Sequence, residues 1–132
     1  FSFGRSHYHW PPESCLYAIK EGCHANWKGD RKQTTVWHFS SPISVQAANT
    51  EINEATAHPT QKPVELYLAP IKNHTEKGDS IYEPFCGSGT AIIAAEQLGR
   101  KCYAIELDPR YVQTAITRWE NLTGKKAELI DA

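Results

Sequence analysis

Apolar residues in the second half of the chain fall into short runs with either an extended or a helical period. Residues 79–83 and 101–107 predict two short strands, and the apolar stretch from Thr90 onward predicts a helix between them. That helix is expected to end at Gly99, because glycine is favoured just beyond a helix C-terminus. A strand, a helix and a second strand in this order predict an α/β unit with parallel strands.

A further helix is predicted before the first strand. Its apolar face consists of four residues at helical spacing, Val64, Tyr67, Leu68 and Ile71. Pro63 suits the first position of this helix, because a proline there loses no hydrogen bond. Pro70 lies inside the pattern and is expected to kink the helix or restart it.

The last helix is expected to begin at Asp108, a favourable cap, with Pro109 at its first position. Its core-facing stripe consists of Val112, Ala115, Ile116 and Trp119. Gly124 should end it, and residues 126–130 then predict a third parallel strand. Residues 58–132 are therefore predicted to form one βαβαβ half of a doubly wound, Rossmann-like sheet.

The first part of the chain predicts less regular structure. Residues 14–20 predict a buried strand, and residues 34–39 are rich in residues that favour strands. Residues 40–57 are polar and have no clear period, which is typical of a connecting loop. Residues 1–57 are thus predicted to be a separate region of strands and loops.

Composition narrows the functional classes. The chain has 132 residues, a length typical of one domain. Its formal net charge is −1, so contact with a polyanion requires a local basic patch. No apolar run approaches a membrane span, and no signal-peptide pattern opens the chain. The four cysteines form no C-x-x-C pair, which predicts no metal site and no disulfide and favours the reducing cytoplasm. Because the chain has no methionine, we expect it to begin inside a longer sequence.

The turn between the first strand and its helix is the strongest chemical signal. Gly87 and Gly89 allow positive φ and a close backbone approach, and the helix that follows offers unpaired N–H groups. Glu106 ends the next strand at about the distance expected for an acid that binds ribose hydroxyls. A dinucleotide fingerprint would need a third glycine where Ile92 stands. The pattern therefore favours a nucleotide-like cofactor other than a dinucleotide.

Motifs around this turn resemble those of one enzyme family. The segment Glu83-Pro-Phe-Cys-Gly-Ser-Gly-Thr90 is preceded by His58-Pro-Thr-Gln-Lys-Pro63 and followed by Glu106-Leu-Asp-Pro109. In this order they resemble the cofactor motifs of the DNA amino-methyltransferases with the β-type permutation, which methylate adenine N6 or cytosine N4. The resemblance implies part of an S-adenosylmethionine-dependent methyltransferase fold, double-stranded DNA as partner, and a place in restriction-modification. It also implies that residues 1–57 are the end of the catalytic region with a short remnant of a target-recognition insert, and that residues 58–132 bind the cofactor. It does not distinguish adenine from cytosine.

The resemblance also implies roles for individual residues. Those expected to contact S-adenosylmethionine are His58, Thr60, Lys62, Glu83, Phe85, Cys86, Gly87, Ser88, Gly89, Thr90, Glu106, Leu107 and Asp108. Among them, Thr60 and Lys62 would meet the methionyl carboxylate. In β-type enzymes an aromatic segment comparable to Tyr8, His9 and Trp10 lies near the flipped base. The alternative for these three residues is an aromatic loop packed under the sheet.

Amino methylation also needs an acceptor for the amino hydrogens and an aromatic ring that stacks on the flipped base. In the family an Asp/Ser-Pro-Pro-aromatic segment provides both, and the chain's only Pro-Pro, in Trp10-Pro-Pro-Glu13, lacks them. We therefore expect a fragment or split subunit that is inactive alone and that pairs with an upstream half or with a second copy. The alternatives are a non-catalytic cofactor-binding remnant, a DNA-binding module, or an enzyme for a small molecule that shares only the fold.

A basic turn precedes the residues that favour a strand at 34–39. Lys28, Arg31 and Lys32 lie close together beside Trp27 and are candidates for sequence-independent contacts with DNA phosphates. The ordinary alternative is a solvated hairpin tip. The resemblance favours the phosphate contacts, because similar turns recur in these methylases.

Overall fold

The computed structural model describes residue 7, residues 12–39 and residues 61–130. In chain order its helices and strands are α1 (Val64–His74), β1 (Ser80–Glu83), α2 (Thr90–Leu98), β2 (Lys101–Ala104) and α3 (Pro109–Thr123). In the described part of the chain, no helix has the length and apolar character needed to cross a membrane.

The two strands are parallel neighbours, which confirms the predicted α/β unit. Ser80 lies opposite Lys101, and the register continues without a bulge to Glu83 opposite Ala104. The ladder extends beyond the carboxyl end of β1, because the Ile105 N–H donates to the Glu83 carbonyl at 2.9 Å. The Cys86 N–H then donates to the Ile105 carbonyl at 3.0 Å. The first residues of the glycine turn are thus held against the end of β2.

Helix α2 is the centre of the packing and lies between α1 and α3. Its buried positions carry mainly small side chains, among them Ala91, Ala94 and Ala95. Small residues allow neighbouring helices to approach closely. Within the described residues, the core therefore combines this narrow helix with two larger aliphatic side chains, Ile71 of α1 and Ile93 of α2.

The helix ends follow the local chemistry of the sequence. The Asp108 carboxylate accepts the Arg110 N–H at 2.9 Å, and Pro109 occupies the first helical position of α3. Gly99 and Gly124 end α2 and α3 in the left-handed conformation. These predicted boundaries are confirmed. Helix α1 begins directly after Pro63 and runs through Pro70 without a restart, so the expected break at Pro70 does not occur.

Three predicted strands are wrong. Residues 14–20, 34–39 and 126–130 have no assigned strand, and their side chains are largely exposed. A strand is defined by hydrogen bonds to a neighbour, and within the described residues none of these segments lies beside a partner that supplies them. The described part of residues 58–132 is therefore α-β-α-β-α, without the third strand.

Candidate functional site

Glu106 connects the glycine turn to the end of β2. Its Oε2 accepts the Gly87 N–H at 2.7 Å, and its Oε1 accepts the Asp108 N–H at 2.9 Å. These donors, the Asp108 N–H first and the Gly87 N–H second, hold the pKa of the Glu106 carboxyl below its ordinary value. Because an ionised carboxylate has about four acceptor positions, each oxygen can still accept a hydrogen bond from a ligand.

Large apolar side chains lie in the chain next to this carboxylate. Phe85 immediately precedes the turn and is 86% exposed, and Leu107 immediately follows Glu106 and is 96% exposed. Ile105, on the other side of Glu106, is also exposed. An ionised acceptor between exposed apolar groups suits a ligand with a flat ring and adjacent hydroxyl groups.

The two glycines of the turn have different tasks. Both have positive φ, 54° at Gly87 and 84° at Gly89. A Cβ at Gly89 would lie 2.7 Å from the Cβ of Ala115 and 3.0 Å from its Cα. Gly89 is thus required by the close approach of α2 and α3, and the Gly87 N–H is the donor that reaches Glu106.

The hydroxyl groups of the turn face α3. Ser88 and Thr90 are 4% and 5% exposed. Arg118 Nη1 donates to the Ser88 carbonyl at 2.6 Å, to Ser88 Oγ at 3.0 Å and to Thr90 Oγ1 at 3.3 Å. Burial lowers the pKa of the Arg118 guanidinium, which stays charged because arginine is not deprotonated in proteins.

The sequence analysis missed Arg118. A charged residue in an amphipathic helix usually lies on the face exposed to solvent. Arg118 is not part of the predicted apolar stripe from Val112 to Trp119, and it was therefore not predicted to face the core. A signal was nevertheless present, because Arg118 lies three residues after Ala115 and so on the same side of the helix.

The segment before α1 also reaches the turn. The Thr90 hydroxyl donates to the Lys62 carbonyl at 3.4 Å, and the Lys62 ammonium forms an ion pair with Glu13. Glu83 Oε1 accepts the Phe85 N–H at 2.9 Å and so fixes the approach to the turn. The other predicted site residues, Tyr8, His9, Trp10, His58 and Thr60, lie outside the described residues.

A cavity of about 250 Å³ lies between α2, β2 and α3. Its lining is mainly apolar and includes the four stripe residues of α3, with Glu106 and Cys86 at the side of the turn. Burial is the main cause that raises the pKa of the Cys86 thiol, and it raises the pKa of Cys102 in β2 to about 11. The stripe predicted to pack in the core thus faces a space that its side chains leave partly empty.

The basic turn is attached to the C-terminal end of α1. The side-chain amides of Gln33 and Asn73 bond to each other in both directions, at 2.9 and 2.6 Å, and the Lys28 N–H donates to the Asn73 carbonyl at 2.6 Å. Asn73 is buried, so this pairing satisfies an amide that would otherwise lack partners. The turn is therefore held in a defined position rather than as a free hairpin tip.

The three cations of this turn differ in whether an ion pair already neutralises them. The Lys28 ammonium lies 2.7 Å from a carboxylate oxygen of Glu76. Arg31 and Lys32 are exposed, and within the described residues neither side-chain cation forms an ion pair, although the Lys32 backbone N–H donates to the Asp30 carboxylate at 2.9 Å. Two of the three cations predicted to contact phosphates, Arg31 and Lys32, are thus exposed and have no ion pair within the described residues.

Known proteins and a family model that are similar to this chain in sequence are described as methylases or methyltransferases. A family model described as DNA methylase matches residues 10–117. Type II methyltransferase M2.MboI of Moraxella bovis is 33% identical over 95 residues, which are 72% of this chain and 33% of the relative. Type II methyltransferase M.XycI of Xanthomonas campestris pv. cyanopsidis is 34% identical over 115 residues, which are 87% of this chain and 37% of the relative.

Among solved structures, the putative DNA modification methylase TTHA0409 of Thermus thermophilus, complexed with S-adenosyl-L-methionine, is 27% identical with a TM-score of 0.49. The match covers 72% of this chain and 44% of that one. The chain spans about a third of the length of the two curated relatives named above.

Proposed function

The chain belongs to the DNA methylase family, and we propose that it is the cofactor-binding part of an S-adenosylmethionine-dependent DNA amino-methyltransferase. The match to the family includes the glycine turn and Glu106, the two parts of the chain that the hydrogen bonds of the site join. The target of such an enzyme is adenine N6 or cytosine N4 in double-stranded DNA.

The observation that carries the proposal is the position of the Glu106 carboxylate. It is ionised, it bonds to backbone N–H groups on both sides of the site, and it retains acceptor positions for the two ribose hydroxyls of the cofactor. Phe85 and Leu107 offer apolar surface to the adenine ring. When bound, S-adenosylmethionine supplies an electrophilic methyl group on sulfur. The residues of this chain would bind and orient it.

Calorimetry with S-adenosylhomocysteine, which cannot transfer a methyl group, tests this proposal on the purified chain. We expect binding by the wild type, and a loss of about 1.5–3 kcal/mol in Glu106→Ala, the range for hydrogen bonds to a charged group. Glu120→Ala is the matched control. Glu120 also accepts a backbone N–H, from Ala127 at 3.0 Å, but it lies near the other end of α3. No binding by the wild type, or equal binding by Glu106→Ala, would refute the proposal.

The same proposal includes a requirement for a second segment. The 132 residues contain no Asp/Ser-Pro-Pro-aromatic tetrapeptide, the element that holds the target amino group in this family. We therefore expect this chain, alone or as a dimer with a second copy, to bind the cofactor without methyl transfer, and we expect transfer when an upstream half supplies that tetrapeptide in cis or in trans. Tritiated methyl transfer to duplex DNA, combined with sedimentation analysis, measures both properties. Robust turnover by a monomer would contradict this requirement.

We also infer that the basic turn contacts DNA phosphates. Arg31 and Lys32 are exposed, and the amide pair between Gln33 and Asn73 holds their turn against α1. Because the net charge is −1, such contacts would be local, weak and dependent on salt.

A further inference from the structure

Arg118 makes its hydrogen bonds with the glycine turn. Through Nη1 it contacts the Ser88 carbonyl, the Ser88 hydroxyl and the Thr90 hydroxyl. Among the described residues it has no carboxylate partner, although its side chain is half-buried. A desolvated cation without an ion pair is costly, so its hydrogen bonds to the turn are what compensates for its burial.

These hydrogen bonds fix the orientation of one peptide unit. The Ser88 carbonyl and the Gly89 N–H belong to the same trans peptide, so they point in opposite directions. The carbonyl accepts from Arg118 at 2.6 Å, while the Gly89 N–H donates to the Cys86 carbonyl at 3.0 Å. Together the two hydrogen bonds fix the plane of this peptide, and Gly89 then directs the chain towards the first residue of α2.

The same side chain connects three parts of the site. Thr90, which accepts from Arg118, donates its own hydroxyl proton to the Lys62 carbonyl. The segment before α1, the glycine turn and α3 are thereby joined through one guanidinium group. Loss of Arg118 should leave the Ser88 peptide held only through the Gly89 N–H, with buried acceptors that have no donor.

We propose that Arg118 is the positioning residue that keeps the glycine turn in its cofactor-binding conformation. The proposal rests on the proposed function for its binding readout only. The conformation of the turn can be measured without any ligand. Arg118 acts through the backbone of Ser88 and Gly89, and direct contact with the ligand is left to the other residues of the site.

The test compares Arg118→Met, Arg118→Lys and Trp119→Phe with the wild type. The methionine keeps an unbranched apolar side chain and removes every donor, whereas the lysine keeps the charge and three donors on a shorter side chain without the planar guanidinium. Trp119→Phe is the control for stability, since it removes one hydrogen bond between α3 and α2, from Nε1 to Glu96 at 3.0 Å, without touching the turn.

Two measurements are made on each variant. Nitrogen-proton NMR follows the amide signals and the hydrogen exchange of Gly87 and Gly89 in the free chain. Calorimetry measures the binding of S-adenosylhomocysteine. We expect Arg118→Met to shift both glycine signals, to speed the exchange of the Gly89 N–H and to weaken binding at least about tenfold. Arg118→Lys should lie in between, and Trp119→Phe should match the wild type in both.

The outcomes separate this proposal from the proposed function. If the wild type does not bind but the glycine signals move in Arg118→Met alone, the cofactor assignment fails and the positioning role stands. Unmoved glycine signals in a folded Arg118→Met variant would overturn the positioning role. Equal cofactor affinity of Arg118→Met and the wild type would also overturn it, as would an equal loss of affinity in Trp119→Phe.

Discussion

Replacing Gly89 by alanine adds a methyl group where α2 and α3 already touch. The new Cβ would lie 2.7 Å from the Cβ of Ala115, well inside the 3.4–4 Å of ordinary van der Waals separation. It would also lie 3.0 Å from the backbone of Ala115, so a side-chain rotation cannot relieve the clash. The helices must move apart, or the turn must change.

The expected cost has two parts. Alanine in the left-handed conformation that Gly89 adopts, with φ of 84°, costs about 1–2 kcal/mol. Overpacking against Ala115 adds about 1–3 kcal/mol. We therefore expect Gly89→Ala to lower the free energy of unfolding by about 2–5 kcal/mol.

Gly124→Ala separates the two parts. Gly124 also has a positive φ, of 70°, but a Cβ there would meet nothing within 4 Å. This variant should lose only the conformational part, about 1–2 kcal/mol. Urea unfolding followed by circular dichroism measures both variants on the 132-residue chain.

A double-mutant cycle with Ala115→Gly tests the packing itself. Removal of the Ala115 methyl should recover about 1 kcal/mol or more of the loss in Gly89→Ala, although the new methyl group still lies close to the backbone at position 115. Equal losses in Gly89→Ala and Gly124→Ala, together with no coupling in the cycle, would refute the argument that Gly89 is required by the packing of α3.

Three further predictions concern the basic turn and the cysteines. Glutamine at both Arg31 and Lys32 should lower the slope of log affinity for DNA against log salt by about 2, at about 0.9 for each phosphate contact. Glutamine at Lys28, whose ammonium is already in an ion pair, should lower this slope by less. A larger decrease in the slope at Lys28 than at Arg31 and Lys32 would place the DNA-binding surface elsewhere. At pH 8, Cys102, with its pKa raised to about 11, should resist iodoacetamide in the folded chain while exposed Cys15 reacts, as mass spectrometry can show. Because the folded pKa of Cys102 is raised, its contribution to stability is present below about pH 9 and is lost as the pH rises towards 11; stability that is constant across this range would contradict the assignment.

Features that depend on neighbouring residues could be predicted from the sequence. Asp108 caps α3 and Gly99 ends α2 because both effects involve only the residues of one turn. Glu106 could be placed at the site from its spacing, since the carboxyl ends of adjacent parallel strands meet at one edge of the sheet.

Features that depend on distant partners could not be predicted in this way. Residues 126–130 have the composition of a strand, but a strand also needs a neighbour with free hydrogen-bonding groups. Arg118 is hydrophilic, and its burial is set by the turn beneath it, 30 residues earlier in the chain. Neither relationship is contained in a local pattern of apolar and polar residues.

The narrow helix at the centre of the fold affects how the results of saturation mutagenesis should be interpreted. Ala91, Ala94 and Ala95 are almost completely buried between two other helices, so any larger side chain there costs about 1–3 kcal/mol. A mutational scan of a methylase containing this chain would therefore find α2 nearly as intolerant as the cofactor-binding turn before it. Variants in the helix would lose abundance, whereas variants at Glu106 would lose binding at normal abundance. Only a scan that records both quantities would distinguish tight packing from ligand recognition.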